Sequence, residues 1–210
     1  PKYYELTYDI NAFEKTQKLI EEGYIRIANP VEGLWSLRAV DLAKILEYHG
    51  LKKSGKKQEL IDTLCSSLTL EVIDSHIADK VYVITDKGKS VLEEYYYVLF
   101  AHQHRATLYS VSEAIDFMDG RINQPSNLEI GTTILRSKLK KDLKGKYYGL
   151  VRNGFLNLAR LNDIHNQYED AVFFYLCMFI FDVSGWGNAG DYHENNILDE
   201  YCATIAPRLI

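Results

Sequence analysis

The chain has 210 residues, 47% hydrophobic and 25% charged, the balance of a soluble globular protein long enough for one or two cored domains. Its net charge of −5 excludes a general nucleic-acid coat, and its longest apolar run, Ala171–Phe181, is too short to cross a bilayer, so no membrane partner is expected. Cys65, Cys177 and Cys202 are odd in number and widely spaced, without a C-x-x-C pattern, and read as reduced thiols in a cytoplasmic protein without a leader. Residues 1–33 read as a lead-in. Asn11 can cap a helix that puts Phe13, Leu19 and Ile20 on one face, Gly23 ends it, and Tyr24–Ile27 alternates as a short strand. Asn29-Pro30 and Gly33 predict a turn, and Trp35 is expected to anchor a core.

Ser36–Leu64 is the most informative stretch. Leu37, Val40, Leu42, Ile45 and Leu46 recur at helical intervals with Asp41, Lys44 and Glu47 between them. Gly50 can supply the positive-φ residue that stops this helix, and Leu51 points an apolar side chain back. Ser54 is predicted as the N-cap of a second helix, Gly55 as a point of close backbone approach, and Leu60, Ile61 and Leu64 as that helix's apolar face. Ser36–Leu64, most closely in LAKILEYHGLKKSGKKQELIDTL, resembles the SAP motif, a helix–extended–helix unit, over about one seventh of the chain. Members of that family mostly bind DNA, often with little sequence preference. The resemblance therefore implies phosphate contacts from Lys52, Lys53, Ser54, Gly55, Lys56 and Lys57, assisted by Arg38 or Lys44. The start of a helix, with unpaired N–H groups and a positive dipole end, suits a phosphate diester. The six cations of residues 36–64 face Asp41, Glu47, Glu59 and Asp62, leaving a net of about +2. That is enough for about three or four phosphates and weak, salt-sensitive binding. The same lysines also suit simple solvation of a surface turn, and SAP-like helix pairs also serve as packing modules.

Val81–Ile84 is predicted as a strand and Lys89–Tyr97 as a helix, with Thr85-Asp86-Lys87-Gly88 between them. YVITDKGKSVLEE is similar to the strand–turn–helix ending of winged-helix proteins, although a plain strand-to-helix join explains it better. The order of a SAP unit, a linker and this segment also resembles SAP-containing proteins of Gram-positive phages and prophages, a group without an assigned activity. GRINQPSN at 120–127 reads as a linker, so the expected domains are 34–119 and a helical 120–210. Leu128–Leu143 is an amphipathic helix with a cationic face. Arg136–Lys146 holds six basic residues, Lys140 and Lys141 among them, against one acid, Asp142. From Asp163 to Glu200 there are eight acids and no Lys or Arg, so a polyanion is expected to meet local patches with the C-terminal region turned away. Tyr147–Ile164 and Tyr168–Phe181 predict an antiparallel helix pair. Its second member is similar to the second helix of a tetratricopeptide-type repeat, but no second copy appears at that period. Residues 184–196 read as a loop.

Candidates for chemistry are sparse. His102 and His104 lack a third ligand, and Asp191, His193 and Glu194 read as loop solvation. Ser184-Gly185-Trp186-Gly187 lacks G-x-S-x-G, and Lys-Lys-Ser-Gly-Lys-Lys lacks the first glycine of a P-loop. No catalytic residue, metal site or cofactor is expected. Lys144, Lys146, Tyr147 and Tyr148 combine the features of a single-strand platform, yet sixteen tyrosines fit helix packing and interfaces as well. The expectation is a mainly α, non-catalytic protein, with a SAP-like unit and short strands followed by a helical domain. It would bind duplex DNA weakly and without sequence choice, the basic helix at Arg136–Lys146 extending the footprint. The competing expectation is a scaffold whose helical half binds a protein partner or a second copy of itself.

Overall fold

The computed structural model describes residues 2–186 and 203–208. The chain divides into two compact units, Pro1–Glu94 and Tyr95–Ile210. The boundary therefore lies before the one expected at 119/120. The 121–126 stretch is a loop, but the helices on both sides of it pack into one core, so it joins elements of the second unit.

In the first unit, α1 (Lys2–Tyr8) precedes α2 (Ala12–Glu21), whose first N–H groups are capped by the Asn11 side chain. Gly23 takes φ +76° after it. β1 (Ile25–Ile27) then pairs antiparallel with β2 (Tyr82–Ile84), Ile25 opposite Ile84 and Ile27 opposite Tyr82. Between the two strands lie α3 (Pro30–Leu34), α4 (Ala39–Tyr48), α5 (Lys57–Ser67) and α6 (Leu70–Ser75). Leu34, Leu42, Leu46, Leu60, Ile61, Leu64 and Ile73 form their common core, with Leu37, Leu51 and Ile77 against it. The predicted turn at Asn29–Gly33 is helix α3. Asn29 and Glu32 form a reciprocal capping box, Pro30 sits where its missing N–H costs nothing, and Gly33 touches Ile77. Trp35, the C-cap of α3, is 47% exposed and anchors no core; Leu34 beside it is the buried residue. At the ends of α4 and α6, His49 and His76 bring their Nε2 atoms to 2.9 Å, with ring planes 89° apart.

The Thr85-Asp86-Lys87-Gly88 segment, read from the sequence as a turn and helical from Asp86 on, locks this unit. The Thr85 hydroxyl donates to the Gly23 carbonyl at 2.6 Å and accepts from the Gly88 N–H at 3.2 Å. Lys87 donates to the Glu22 carbonyl and sits 4.2 Å from the centre of the Tyr24 ring. A Cβ on Gly88 would lie 2.2 Å from the Tyr24 carbonyl oxygen, so only glycine permits the approach. The predicted 89–97 helix is two helices, α7 (Asp86–Glu94) and, in the second unit, α8 (Tyr96–His104), with Tyr95 at the break.

The second unit continues with α9 (Val111–Met118), α10 (Asn127–Gly145), α11 (Tyr148–Ile164) and α12 (Tyr168–Val183). Ser110 with Glu113 and Ser126 with Glu129 form capping boxes at the starts of α9 and α10. Tyr109, Ile130, Leu135, Leu158, Leu161, Ala171, Phe174 and Met178 fill the core. Arg152 donates two 2.9 Å bonds to Asp182, and the Tyr175 hydroxyl donates to Asp163 at 2.7 Å, so α11 and α12 run antiparallel as expected. Burial, and then the bond to Asp163, push the Tyr175 phenol up to about 12. Arg208 pairs with the same Asp163. No helix among the described residues is long and apolar enough to cross a membrane.

Gly88→Ala should lower the stability of the first unit by about 1–3 kcal/mol, read as a fall in thermal midpoint, because the intruding methyl meets rigid backbone. Glu32 gives an acid signature. Its hydrogen bonds from Arg26, then from the Asn29 N–H, hold its carboxyl at about 2 instead of 4.5. A depressed carboxylate stabilises above its unfolded value, and that contribution disappears as pH falls through about 2. The gap in unfolding midpoint between wild type and Glu32→Gln should therefore be full above pH 4.5 and close toward pH 2.

Candidate nucleic-acid interface

The turn between α4 and α5 is extended from Leu51 to Lys56, giving the helix–extended–helix order that the SAP resemblance implies. Gly50 takes φ +68° after α4, and Leu51 folds back on the core. Ser54 is not the cap. The chain stays extended through Gly55, at φ +142°, and the N-cap is Lys56, which has no side-chain acceptor to offer. Glu59 takes that role from inside the helix, accepting from the Lys56 N–H at 3.2 Å. A carboxylate therefore already sits where a phosphate would approach the dipole end of α5.

Most of the predicted cations here are engaged within the unit. Arg38, at the N-cap of α4, holds Asp41 at 2.8 Å, and Lys44 stands 3.9 Å from the same carboxylate. Asp41 is lowered in pKa chiefly by the Arg38 hydrogen bond, and Arg38 is raised by it in turn. Lys53 pairs with Glu47. Lys57 donates to the Trp35 carbonyl at 2.6 Å, its ammonium 5.8 Å from the indole centre. Lys52 and Lys56 are exposed and have no carboxylate partner among the described residues. These exposed ion pairs are worth little and exchange readily with an incoming anion, but they reduce the charge the turn presents.

Lys140 and Lys141 lie on α10, in the second unit. Arg136, Lys140 and Lys144 follow one another by single turns of about 6 Å along an exposed stripe, with Lys141 beside it. None of the four has a carboxylate partner among the described residues, whereas Lys138 is held by Glu113 at 2.7 Å. Among the described residues the densest unpaired positive charge is thus on α10, and the turn between α4 and α5 presents less than its lysine count suggests.

His102 and His104 stand two apart at the end of α8, a spacing that sends helical side chains in opposite directions. Among the described residues no three His, Cys, Asp or Glu side chains gather as a metal site. Asp191, His193, Glu194 and most of the predicted 184–196 loop lie outside the described residues. Sequence reasoning missed the Glu59 cap and the neutralisation of Arg38 and Lys53. The first was readable as a Glu three residues beyond the true N-cap, and the Arg38–Asp41 pair as i,i+3. The Lys53–Glu47 pair needed the turn itself. Comparison of the chain with known protein families, with curated proteins and with solved structures gives no match in any of the three.

Proposed function

We propose that this protein is a non-catalytic, cytoplasmic nucleic-acid-binding protein that holds DNA weakly through its phosphate backbone, with little sequence preference. The observation that carries the reading is the set of exposed cations without an acidic partner among the described residues: Lys52 and Lys56 on the SAP-like turn, and Arg136, Lys140, Lys141 and Lys144 on α10. Point charges on flexible stems suit phosphate and carry no base readout. The helix–extended–helix order of α4 and α5 supports SAP-type kinship. A place among phage or prophage proteins rests on the sequence likeness alone.

A fluorescent A/T-rich duplex titrated across a salt series tests this. Binding of order 10⁻⁴–10⁻⁶ M near physiological salt is expected, steeper at low salt. Lys140→Glu/Lys141→Glu and Lys52→Glu/Lys56→Glu should each weaken binding and flatten the salt slope by about 1–2. Glu59→Gln should strengthen binding by about two- to fivefold at low salt, by clearing the carboxylate from the α5 terminus. No binding by wild type at low salt would sink the proposal.

A second reading is favoured by α12. Its Phe173, Leu176, Ile180 and Val183 are exposed at alternating three- and four-residue steps, the seam spacing of a helix that packs on another. Under this reading the protein is a scaffold and a second copy covers the seam. Solution mass then gives a dimer insensitive to salt, and Leu176→Asp/Ile180→Asp gives a monomer.

A further inference from the structure

The C-terminal end of α10 breaks two local rules together. Helices commonly end with glycine in the left-handed region, because a Cβ crowds the backbone there. Here Gly145 is the last helical residue, and Lys146 takes the left-handed position at φ 59° and ψ 29°. The glycine serves a different need. A Cβ on Gly145 would lie 2.4 and 2.5 Å from Cε2 and Cδ2 of Tyr147, so the tyrosine ring rests on the Gly145 backbone. Hydrogen bonds from Lys146 N–H to the Leu143 carbonyl (3.1 Å) and from Tyr147 N–H to the Asp142 carbonyl (3.0 Å) fix the turn. The ring seated in this way is nevertheless 61% exposed. Where a sequence sets aside its local preferences without a gain in core packing, a site is the usual reason.

Lys144 and Lys146 flank this seat in sequence, and Lys140 and Lys141 lie about one turn earlier on α10; all four are exposed and without a carboxylate partner among the described residues. The negative end of the helix dipole accounts for Lys144 in the last turn. It does not account for Lys140 and Lys141 further up, or for a lysine in the strained position. A pre-seated aromatic face beside cations is the arrangement by which single strands are held. One base stacks on the ring, and the neighbouring phosphates meet the lysines. A duplex keeps its bases stacked on each other and offers such a ring nothing to cover.

We infer that the end of α10 is a binding site for single-stranded nucleic acid, with Tyr147 as the stacking platform and Lys140, Lys141 and Lys144 as phosphate contacts. This rests on the phosphate-binding reading above and deepens it, by naming an unpaired strand as the ligand of this patch.

The test uses the full chain with three labelled probes: a thymidylate dodecamer, the corresponding uridylate, and a duplex of the same length. Wild type should prefer the single strands. Tyr147→Ala, with unchanged circular dichroism, should lose about fivefold to a hundredfold in single-strand affinity and keep its duplex affinity. Tyr147→Phe, which retains the ring face, should behave as wild type. A stronger response to thymidylate or to uridylate names DNA or RNA as the source, and the Tyr147→Ala loss supports the inference in either case. If Tyr147→Ala binds every probe as wild type does while Lys140→Glu/Lys141→Glu still weakens them, the stacking inference is overturned and the phosphate reading stands. If Tyr147→Ala lowers single-strand and duplex affinity equally, the stacking role is overturned as well. Should wild type bind none of the three probes, both fall together.

Discussion

The first unit depends on one close approach of backbone to backbone, that of Gly88 to the Tyr24 carbonyl. It lets α7 begin close to the end of α2, and the Thr85 hydroxyl and the Lys87 ammonium then bond the carbonyls of Gly23 and Glu22, just beyond that helix. The strand pair is only three residues long on each side, too short to persist alone. It holds because the helices before and after it are tied to each other across that approach, and because the apolar layer of α3–α6 closes the long connection between its strands. Two weak parts, a minimal sheet and a set of short helices, become one cooperative unit.

The second unit is built differently. Three of its helices, α10, α11 and α12, are the longest described, and its order comes from side chains that fix helix ends and one pair that fixes helix register. Ser110 with Glu113 and Ser126 with Glu129 settle where α9 and α10 start. Arg152 and Asp182 settle how α11 lies along α12, through a pair whose carboxylate is buried and bonded at both oxygens. A buried pair of this kind adds little net stability over an apolar one, but the wrong register would strand a charge. α12 needs such a device because it is apolar around most of its circumference and could otherwise pack in several rotations.

Helix existence was legible where polar signals and periodicity agreed. Asn11, Gly23 and Gly50 are at the ends their chemistry suggested, and the β1 and β2 segments read correctly as short strands. Misreadings came where one residue served two purposes. Asn29-Pro30 is as good a helix start as a turn, and only the burial of Leu34 decides between them. Ser54 looked like a cap because serine usually is one, but the chain needed two more extended residues before Leu60 and Leu64 could reach the core. The candidate site was legible as residue types and not as charge available to a ligand. Whether a lysine is free depends on carboxylates brought near by the fold, as Glu47 is to Lys53 and Glu113 to Lys138, and no spacing along the chain announces those pairs. The seat of Tyr147 on Gly145 was equally hidden, since a lone glycine between lysines reads only as a helix end.

The placement of α3–α6 between two paired strands has a consequence for how such a chain can be altered. The layer leaves the sheet at Ala28 and returns at Val81, and those two residues are hydrogen-bonded neighbours, N to O at 2.8 Å. The segment between them is therefore a cassette with adjoining ends and its own apolar interior. Insertion and exchange are tolerated best where the two junctions lie side by side. A short turn in place of residues 29–80 would leave α2, β1, β2 and α7 as a small hairpin-bearing remnant, and the excised layer could be carried on any other hairpin of the same register.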